Sequence, residues 1–460
     1  MEQLLKVLAV FDRWLWGNWL LFVLLGVGLL YTMITGGVQI RYFRYIIRKT
    51  LWEPIRAKKE DAKEEGSISS FQALCTAVAS CVGSGNIVGV STAVLTGGLG
   101  AVFWMWAAAF LGMATKYGEI ILGMLYRERD EMGAYVGGPM YYIRRGLHAP
   151  WLAVLCAGFM VIQIISGNLI QSNTVSGVLQ DNFQVPCWIT GIGLVAVIFT
   201  VTAGGLKRLA HVTQKLVPAM AVLYVAGGLV IILANLTKVP SVIGEIFAGA
   251  FGLRPIAGGA AGSMIIAMQR GVARGLYSNE AGEGSAPVIH SAAQVKHPAE
   301  QGITGVTEVF LDTFVICTIT GLVLGVTGVL DSGVPGNVLV IYAFATVWPP
   351  LRHAVSLSLL LFSVTTLMSQ WYFGFVGLNY IFGRKAAERF KYVFPLFCIL
   401  GALAEIELVW TVQDIALGLL TIPNLCAMIY LWPEVRQATR EYFSSLPDKA
   451  CDEGVPKVMK

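Results

Sequence analysis

A short glycine-rich stretch interrupts one of the most apolar parts of the chain. Residues 71–92 read FQALCTAVASCVGSGNIVGVST, with Gly83-Ser84-Gly85-Asn86 at the centre. Glycine, serine and asparagine are weak in helix interiors, so we expect the helix to break here. A break inside a membrane frees backbone carbonyl and N–H groups, which are tolerated only where they line a protein-enclosed site. Such groups can bind a cation and a carboxylate.

The stretch therefore contributes to two predicted sets of ligands. Ser80, Gly83, Ser84 and Gly85 are assigned to substrate binding. Asn86 and Ser80 are assigned to Na⁺, because this cation favours hard oxygen ligands. The alternative is close helix packing, since Gly85 and Gly89 have the spacing of a GxxxG contact.

Other polar side chains lie inside apolar segments, where they are costly unless they face the protein interior. Asn168 and Gln171 share a helix face with Ser172. They could bind substrate or only join two helices by hydrogen bonds. Asp312 lies about 15 Å inside its segment, where it could bind Na⁺ with Thr313 nearby.

Two arginines and two glutamates occupy one further apolar segment. We interpret Arg270, Arg274, Glu280 and Glu283 as gate or structural ion pairs at its inner end, and an arginine could also pair with Asp312. The preceding stretch, 264–271, is expected to carry a second helix break. Met268 in this stretch is predicted to face the substrate.

The elements that position these residues are membrane spans. The chain is 56% hydrophobic and 13% charged, with mean hydropathy +0.67, whereas soluble chains carry about 25% charge. We therefore predict an all-α polytopic membrane protein, with its first apolar segment retained. Eleven segments reach the length of a span, about 20 residues. They lie near 16–36, 68–97, 101–124, 151–181, 187–203, 212–235, 256–288, 302–330, 353–382, 391–409 and 412–432.

The distribution of positive charge predicts the orientation. Of the 33 Lys and Arg residues, 24 fall on one side if the linker 37–67 is placed inside, and five fall on the other. Cytoplasmic loops carry the excess of Lys and Arg, so the N-terminus is predicted outside and the C-terminus inside a bacterial inner membrane. The linker is interpreted as a solvated anchor that could also contact lipid.

The second and seventh segments are both long and interrupted by glycine. Four segments separate them and four follow, which predicts one extra helix plus two inverted five-helix repeats. Paired broken helices of this kind mark a secondary transporter's binding site. The predicted regions are the extra helix and linker (1–67), the first repeat (68–236), the second repeat (256–433) and a cytoplasmic tail (434–460).

Several motifs give the chain a family resemblance. The long stretch GSGNIVGVSTAVLTGGLGAVFWMWAAAFLGMATKYGEIILGMLYR and the stretch RGVARGLYSNEAGEGSAP at 270–287 resemble signatures of the bacterial alanine or glycine:cation symporter family (sodium:alanine symporters). SGNLIQSN at 166–173, the stretch at 204–224 and EVFLDTFVICTITGL at 308–322 support the resemblance. It implies a LeuT-type fold with five plus five helices and broken helices 2 and 7. It also implies amino-acid uptake coupled to Na⁺, or to H⁺ in some members.

The resemblance also implies roles for single residues. Gln171 would hydrogen-bond substrate. Thr365 and Thr366 match a pair of hydroxyls that completes a Na⁺ site, and Thr366 would also border substrate. The family pattern has a tryptophan four positions later, where this chain has Gln370. An amide there leaves more room and predicts a substrate larger or more polar than alanine, with glutamine as a candidate.

Glu283 is a second departure, because the family pattern has an apolar residue there. Its carboxylate could titrate and alter coupling, or it could lie at a solvated helix end. We favour the solvated end.

The sequence lacks the motifs that are typical of enzymes and ATP-driven pumps. There is no HExxH, no clustered histidine and no GxxxxGK[ST] phosphate-binding loop, so neither an enzyme nor an ATP-driven pump is predicted. A channel or membrane receptor remains the alternative of a different class. No cofactor is expected beyond Na⁺ as coupling ion, and no nucleic-acid partner is indicated. The predicted partners are an amino acid, Na⁺ and membrane lipid, and the sequence leaves the oligomeric state open.

Overall fold

A computed structural model shows a protein built almost entirely of helices. It describes residues 2–56, 67–253, 259–404 and 406–446. Residues 57–66 of the predicted linker, 256–258 of the predicted second repeat and 447–460 of the predicted tail lie outside the described residues. The predicted all-α class is confirmed over the described ranges, where the strands form a single two-stranded hairpin.

The first part of the chain contains short helices followed by the first interrupted pair. Its elements are α1 (Glu2–Leu15), α2 (Asn18–Ile34), α3 (Val38–Arg41), α4 (Phe43–Ile47), a π-helical turn (Arg48–Trp52), α5 (Glu53–Arg56), α6 (Ser70–Cys81), a π-helical turn (Gly85–Gly89), α7 (Val90–Gly97) and α8 (Gly100–Leu125).

A hairpin and three long helices follow. These elements are β1 (Glu128–Arg129), β2 (Tyr135–Val136), α9 (Pro139–Gly146), α10 (Pro150–Phe183), α11 (Cys187–Thr202), α12 (Gly205–Ala234), a 3₁₀ turn (Leu236–Lys238) and α13 (Val239–Ala250). β1 and β2 are antiparallel, with Glu128 opposite Val136.

The last part repeats the alternation of long and interrupted helices. Its elements are α14 (Gly259–Asn279), α15 (Ala286–His290), α16 (Pro298–Val309), a π-helical segment (Phe310–Cys317), α17 (Thr318–Thr327), a 3₁₀ turn (Val329–Asp331), α18 (Gly336–Val347), α19 (Leu351–Phe382), α20 (Arg384–Val393), a 3₁₀ turn (Phe394–Leu396), α21 (Phe397–Leu403) and α22 (Ile406–Ser445).

Within the described ranges, seven helical stretches are long and apolar enough to cross a membrane. They are Val7–Ile34, Gly100–Leu125, Pro150–Phe183, Gly205–Ala234, Pro298–Thr327, Leu351–Phe382 and Val409–Ser445. The bent pair formed by α6 and Gly85–Gly97 makes an eighth. The structure therefore has the several spans of a multi-pass membrane protein.

The predicted count of eleven spans stays a prediction. The helix α11 is apolar but shorter than the other spans. The predicted tenth segment, 391–409, is divided among the end of α20, a 3₁₀ turn, the short helix α21 and the start of α22.

Helix packing brings the interrupted elements to the centre of the molecule. α10 lies against α19, α21 and α22, while α8 lies against α14 and α16. α6 contacts α12 and α19. Large apolar side chains such as Trp188 and Val222 are exposed on α11 and α12, as expected for surfaces that face lipid. Polar side chains concentrate instead at the buried helix breaks.

Candidate functional site

The first helix break lies where the glycine-rich stretch predicts it. Ser69 and Gln72 form a capping box at the start of α6, with hydrogen bonds of 3.0 and 3.2 Å. α6 ends at Cys81, and Val82 is extended, with φ −78° and ψ 92°. The helix resumes at Gly85 with its axis bent by 50°. The break therefore leaves backbone groups of α6 without helical partners inside the protein.

Close approach explains why glycine occupies the break. A Cβ on Gly83 would lie 2.7 Å from Thr366 Oγ1 and 3.0 Å from Gln171 Nε2. No side chain fits in that space, so two neighbouring helices reach the backbone at this point. A Cβ on Gly89 would meet no neighbouring atom within 4 Å. A Cβ on Gly85 would lie 3.1 Å from the Tyr277 ring of α14, so the alternative of close helix packing holds for Gly85 and is wrong for Gly89.

The second break does not lie in the predicted stretch. α14 continues through 264–271 without interruption, so the expectation of a break there is wrong. Gly271 serves helix packing instead, because a Cβ at this position would lie 2.3 Å from Ala101 O in α8. Met268 is nine residues before Tyr277 on the same helix, about 13 Å along its axis. It does not line the central cavity, so its predicted contact with substrate is not found.

The chain leaves α14 in a loop that depends on unusual backbone angles. Glu280, Gly282 and Gly284 have φ of 54°, 93° and 92°, and the helix resumes at Ala286. Asn279 Oδ1 accepts a hydrogen bond from the backbone N–H two residues later, at 3.1 Å. Positive φ is easy for glycine and uncommon for glutamate. The second half of the NEAGEGSAP motif is therefore the break itself.

A group of oxygen atoms surrounds the first break. Thr366 Oγ1 lies 3.0 Å from Ala79 O and 3.3 Å from Val82 O, the carbonyls at the end of α6. Ser363 is one helical turn earlier on the same face of α19, and its buried hydroxyl has no partner among the described residues. A hydroxyl has one proton to donate, so this group retains lone pairs that could bind a cation.

Thr365 does not belong to this group. Its hydroxyl contacts the carbonyls of Leu361 and Phe362 in its own helix, at 2.9 and 3.0 Å. It also lies 3.4 Å from Met220 Sδ in α12. Successive residues of a helix point about 100° apart, so only Thr366 can face the break. The prediction that both hydroxyls bind Na⁺ is therefore wrong for Thr365.

A second oxygen-rich group forms around Asp312. Asn86 Nδ2 donates to Asp312 Oδ1 at 2.6 Å, and Ser278 Oγ lies 3.0 and 2.9 Å from the two carboxylate oxygens. Thr313 Oγ1 donates to Oδ2 at 2.9 Å. Asp312 and Asn86 are fully buried. Asn86 Oδ1 also accepts from the Gly83 N–H at 3.0 Å, which links this group to the first break.

The two breaks and three further helices, α10, α19 and α22, enclose a small central cavity. Its lining residues are Ser80, Cys81, Gly85, Gln163, Gln171, Tyr277, Glu280, Glu283, Thr366, Gln370 and Gln413. Five of the predicted substrate residues are in this set: Ser80, Gly85, Gln171, Thr366 and Gln370. Gly83 and Ser84 lie in the adjoining bend, where the Ser84 N–H donates to Gln171 Oε1 at 3.3 Å. The structure thus brings most of the predicted set together.

Asn168 lies away from the cavity. Its Nδ2 donates to Phe394 O at 3.2 Å, and its Oδ1 accepts from Ser172 Oγ at 3.2 Å. The side chain joins α10 to the turn before α21. Its predicted contact with substrate is therefore wrong, and the alternative of a bond between helices is correct.

The arginines and glutamates predicted as gate pairs do not pair with each other. Arg274 lies 3.6 Å from Asp414 of α22, and its guanidinium lies over the Trp410 ring at 5.1 Å. Arg270 is exposed. Among the described residues, the hydrogen-bond donors to Asp312 are neutral and include neither arginine. The arginines precede the second break on α14, whereas the glutamates lie in the break.

Both glutamates instead line the central cavity. Glu280 Oε2 accepts from Ser285 Oγ at 2.7 Å and lies 3.4 Å from Ser80 Oγ. Glu283 is 1% exposed, so the favoured interpretation of a solvated helix end is wrong. The break turns back into the bundle, and this tertiary path buries the carboxylate.

A buried charged group was missed from the sequence. We define the Lys116 cluster as Lys116, Cys81, Glu308 and His290. Lys116 Nζ lies 2.5 Å from Glu308 Oε1, 3.2 Å from Cys81 Sγ and 2.6 Å from Asn279 O. His290 Nε2 lies 3.2 Å from the other Glu308 oxygen. The signal was present, since a lysine and a glutamate occur in the middle of predicted spans.

Lys116 connects the two breaks. Cys81 is the last residue of α6 and Asn279 is the last residue of α14, so both helices point their C-terminal ends at the ammonium group. A cation is favourable at such an end because the helix dipole is negative there. The Lys116 cluster thereby fixes the positions of both broken helices beside the cavity.

The chain also matches a known protein family over nearly its whole length. Residues 1–454 match the family described as the sodium:alanine symporter family. The chain belongs to the sodium:alanine symporter family. The resemblance stated from the sequence motifs is thereby confirmed.

Relatives cover nearly the whole chain. The sodium/alanine symporter AgcS of Methanococcus maripaludis is 37% identical, over 94% of this chain and 95% of the relative. The probable sodium/glutamine symporter GlnT of Bacillus subtilis is 33% identical, over 96% and 91%. An uncharacterized transporter of Haemophilus influenzae is 42% identical, over 96% of each chain.

Solved structures place this family member among LeuT-fold transporters. The structure of MhsT with L-phenylalanine matches with a TM-score of 0.54 at 16% identity, over 85% of this chain and 93% of that chain. A manganese transporter of Eremococcus coleocola matches with a TM-score of 0.54 at 13% identity, over 84% and 82%. At such identities the likeness shows the fold alone.

Proposed function

We propose that this symporter-family member takes up a small neutral amino acid together with Na⁺. Alanine, glycine and glutamine are the candidate substrates. The observation that carries the proposal is the meeting of two helix breaks at one buried polar cavity, which is how secondary transporters build their sites. The names of the relatives, sodium/alanine and sodium/glutamine symporter, support the same substrate class.

The first break offers the proposed Na⁺ site. Thr366 Oγ1 lies within 3.3 Å of both Ala79 O and Val82 O, and Ser363 Oγ adds an oxygen without a partner among the described residues. These are neutral hard oxygens, which suit a monovalent cation. Asp312 with Asn86 is the proposed position for a further cation, because the buried carboxylate accepts hydrogen bonds from the neutral side chains of Asn86, Ser278 and Thr313.

The proposed substrate position lies between the breaks. The amino-acid carboxylate is placed at the start of Gly85–Gly97, where the helix dipole favours an anion. Ser84 Oγ is buried and unpartnered there, and Gln171 reaches the same bend. The ammonium group is placed toward Ser80 and the C-terminal end of α6. Gln370 then borders the substrate's side chain.

The proposed architecture completes the mechanism. Eleven spans form one extra helix and the inverted repeats 68–236 and 256–433, with the N-terminus outside and the C-terminus inside a bacterial inner membrane. In that orientation α14 runs inward, so the Arg274–Asp414 contact lies on the outer side of the cavity. Rocking of one repeat against the other would expose the site to each side in turn.

Proton coupling is the second candidate, because Glu280 and Glu283 place two carboxylates on the cavity wall. Uptake of labelled alanine and glutamine into proteoliposomes under separate Na⁺ and H⁺ gradients tests both proposals. We expect accumulation only when an inward Na⁺ gradient is imposed. Accumulation under an H⁺ gradient alone would favour proton coupling, and gradient-independent equilibration would favour a channel. Binding without any uptake would favour a receptor.

A further inference from the structure

One wall of the central cavity presents acceptor oxygens that the protein does not satisfy. The Oε1 atoms of Gln163, Gln370 and Glu283 are buried and accept no hydrogen bond from any described residue. These residues are 4%, 5% and 1% exposed, and all three line the cavity. A buried acceptor without a donor is costly. The three oxygens therefore indicate a bound group that brings hydrogen-bond donors.

Among the residues that the structure describes, no cationic side chain lies within ion-pair distance of Glu283. Lys116 contacts Glu308 instead, and Arg274 contacts Asp414. A buried carboxylate needs a charged or strongly donating partner. A molecule bound in the cavity is the remaining source of such a partner for Glu283.

The neighbouring backbone is shaped to admit Gln370. A Cβ on Gly167 of α10 would lie 2.9 Å from both Nε2 and Oε1 of Gln370. The glycine thus leaves room for the amide between α10 and α19. An amide can turn to present either its oxygen or its NH₂ group, whereas an ionised carboxylate can only accept.

These properties match one class of amino-acid side chain. A carboxamide has two N–H donors and an acceptor oxygen. It can therefore donate to Glu283, and it can both donate to and accept from the side-chain amides of Gln163 and Gln370. A cationic side chain has donors only and would leave amide N–H groups unpaired. The methyl group of alanine satisfies none of the three oxygens.

We propose that Glu283, Gln163 and Gln370 form a specificity subsite for a carboxamide side chain. The protein then selects glutamine or asparagine over alanine. This inference rests on the proposed amino-acid symport and names the substrate class of that same cavity.

The test measures selectivity in full-length protein reconstituted in proteoliposomes. Na⁺-driven uptake of labelled alanine is competed with unlabelled glutamine, asparagine, lysine and alanine. We expect glutamine or asparagine to compete at a concentration at least about tenfold lower than alanine. Glu283→Ala is expected to lower the ratio of carboxamide to alanine selectivity about 10- to 100-fold, the usual cost of losing a hydrogen bond to a charged group.

The controls separate recognition from folding. Glu283→Gln keeps an acceptor oxygen and is expected to have an intermediate ratio. Glu441→Gln changes an exposed carboxylate of α22 and is expected to leave the ratio unchanged. If Glu283→Ala does not fold, the thermal shift of the unchanged protein by glutamine and by alanine still tests the inference, with a larger shift expected for glutamine.

An unchanged selectivity ratio in Glu283→Ala would overturn the subsite, as would stronger competition by lysine than by glutamine. Equal thermal shifts by glutamine and alanine would overturn it too. In each of these cases Na⁺-driven alanine uptake would leave the proposed symport standing. Absence of Na⁺-driven uptake for every amino acid would overturn the proposed function and the subsite together.

Discussion

The central cavity and the Lys116 cluster are adjacent, buried and polar, yet they differ in how their polar groups are satisfied. In the Lys116 cluster, both carboxylate oxygens of Glu308 and the ammonium group of Lys116 contact protein partners within 3.2 Å. In the cavity, oxygens of Gln163, Gln370 and Glu283 have none. A buried polar group is normally paired. The paired groups of the Lys116 cluster hold the helices together, whereas the unpaired oxygens of the cavity carry the proposed subsite.

The largest expected effect comes from breaking the paired cluster. Lys116→Met leaves Glu308 buried without its closest cation. Removing one partner of a buried ion pair costs about 3–5 kcal/mol, so we expect a loss of that size in the free energy of unfolding. Denaturant unfolding of the purified protein in detergent measures it.

A double variant provides the control for that change. Lys116→Met with Glu308→Gln removes the uncompensated charge and is expected to recover part of the lost stability. A change below about 1 kcal/mol in the free energy of unfolding of Lys116→Met would contradict the structural role that we assign to the Lys116 cluster.

The second-largest effect is expected at the proposed Na⁺ site. Both hydroxyls contact their own helix, but Thr366 also faces the freed carbonyls of α6, whereas Thr365 also faces Met220. We expect Thr366→Val to weaken apparent Na⁺ affinity about 10- to 100-fold, the cost of about 1.4–2.8 kcal/mol. Initial uptake rate measured against Na⁺ concentration gives this value.

Thr365→Val is the matched control, because it makes the same chemical change one residue away. It is expected to change apparent Na⁺ affinity by less than about threefold. Equal effects of the two substitutions would show that the hydroxyl direction does not matter, and the proposed Na⁺ site would have to be abandoned.

The smallest effect concerns an exposed group outside the spans. Burial alone would raise the pKa of Glu388, but hydrogen bonds from Lys391 and Arg384, at 3.0 and 2.9 Å, outweigh burial and lower it below 4.5. A lowered folded-state pKa adds stability above the unfolded pKa, and this stability is lost as pH falls through the folded pKa.

Glu388→Gln should therefore destabilise the protein at neutral pH and have no effect in more acidic solution. The Glu388 side chain is 39% exposed, so we expect less than about 1 kcal/mol. Thermal unfolding of both proteins at pH 7 and below pH 4, at low and high salt, measures the difference. A difference that persists at acid pH would contradict the ion-pair explanation.

Local sequence chemistry predicted much of the site. The glycine-rich stretch marked the first break because its residues are weak helix formers, and Gln171, Thr366 and Gln370 were placed at the cavity through their motifs. The second break was misplaced to 264–271. A glycine there serves packing against α8, and a single sequence does not distinguish a packing glycine from one that ends a helix.

Other errors came from the direction of side chains. Asn168 and Gln171 are nearly one turn apart, yet one joins helices and the other reaches the cavity. Glu283 was expected in solvent, but the turn at Glu280–Ser285 carries it into the bundle. Lys116 was overlooked because its partners Glu308, Cys81 and Asn279 lie on three different elements.

The sequence by itself determined the membrane class, the family and the weak points of the helices, since these depend on composition and on local residue preferences. Tertiary structure decided which polar groups are paired and which remain open. That choice depends on about 100° of rotation per residue and on contacts between helices far apart in the chain. Thr365 and Thr366 are neighbours with the same chemistry, and only the packing of α19 against the end of α6 gives them different surroundings.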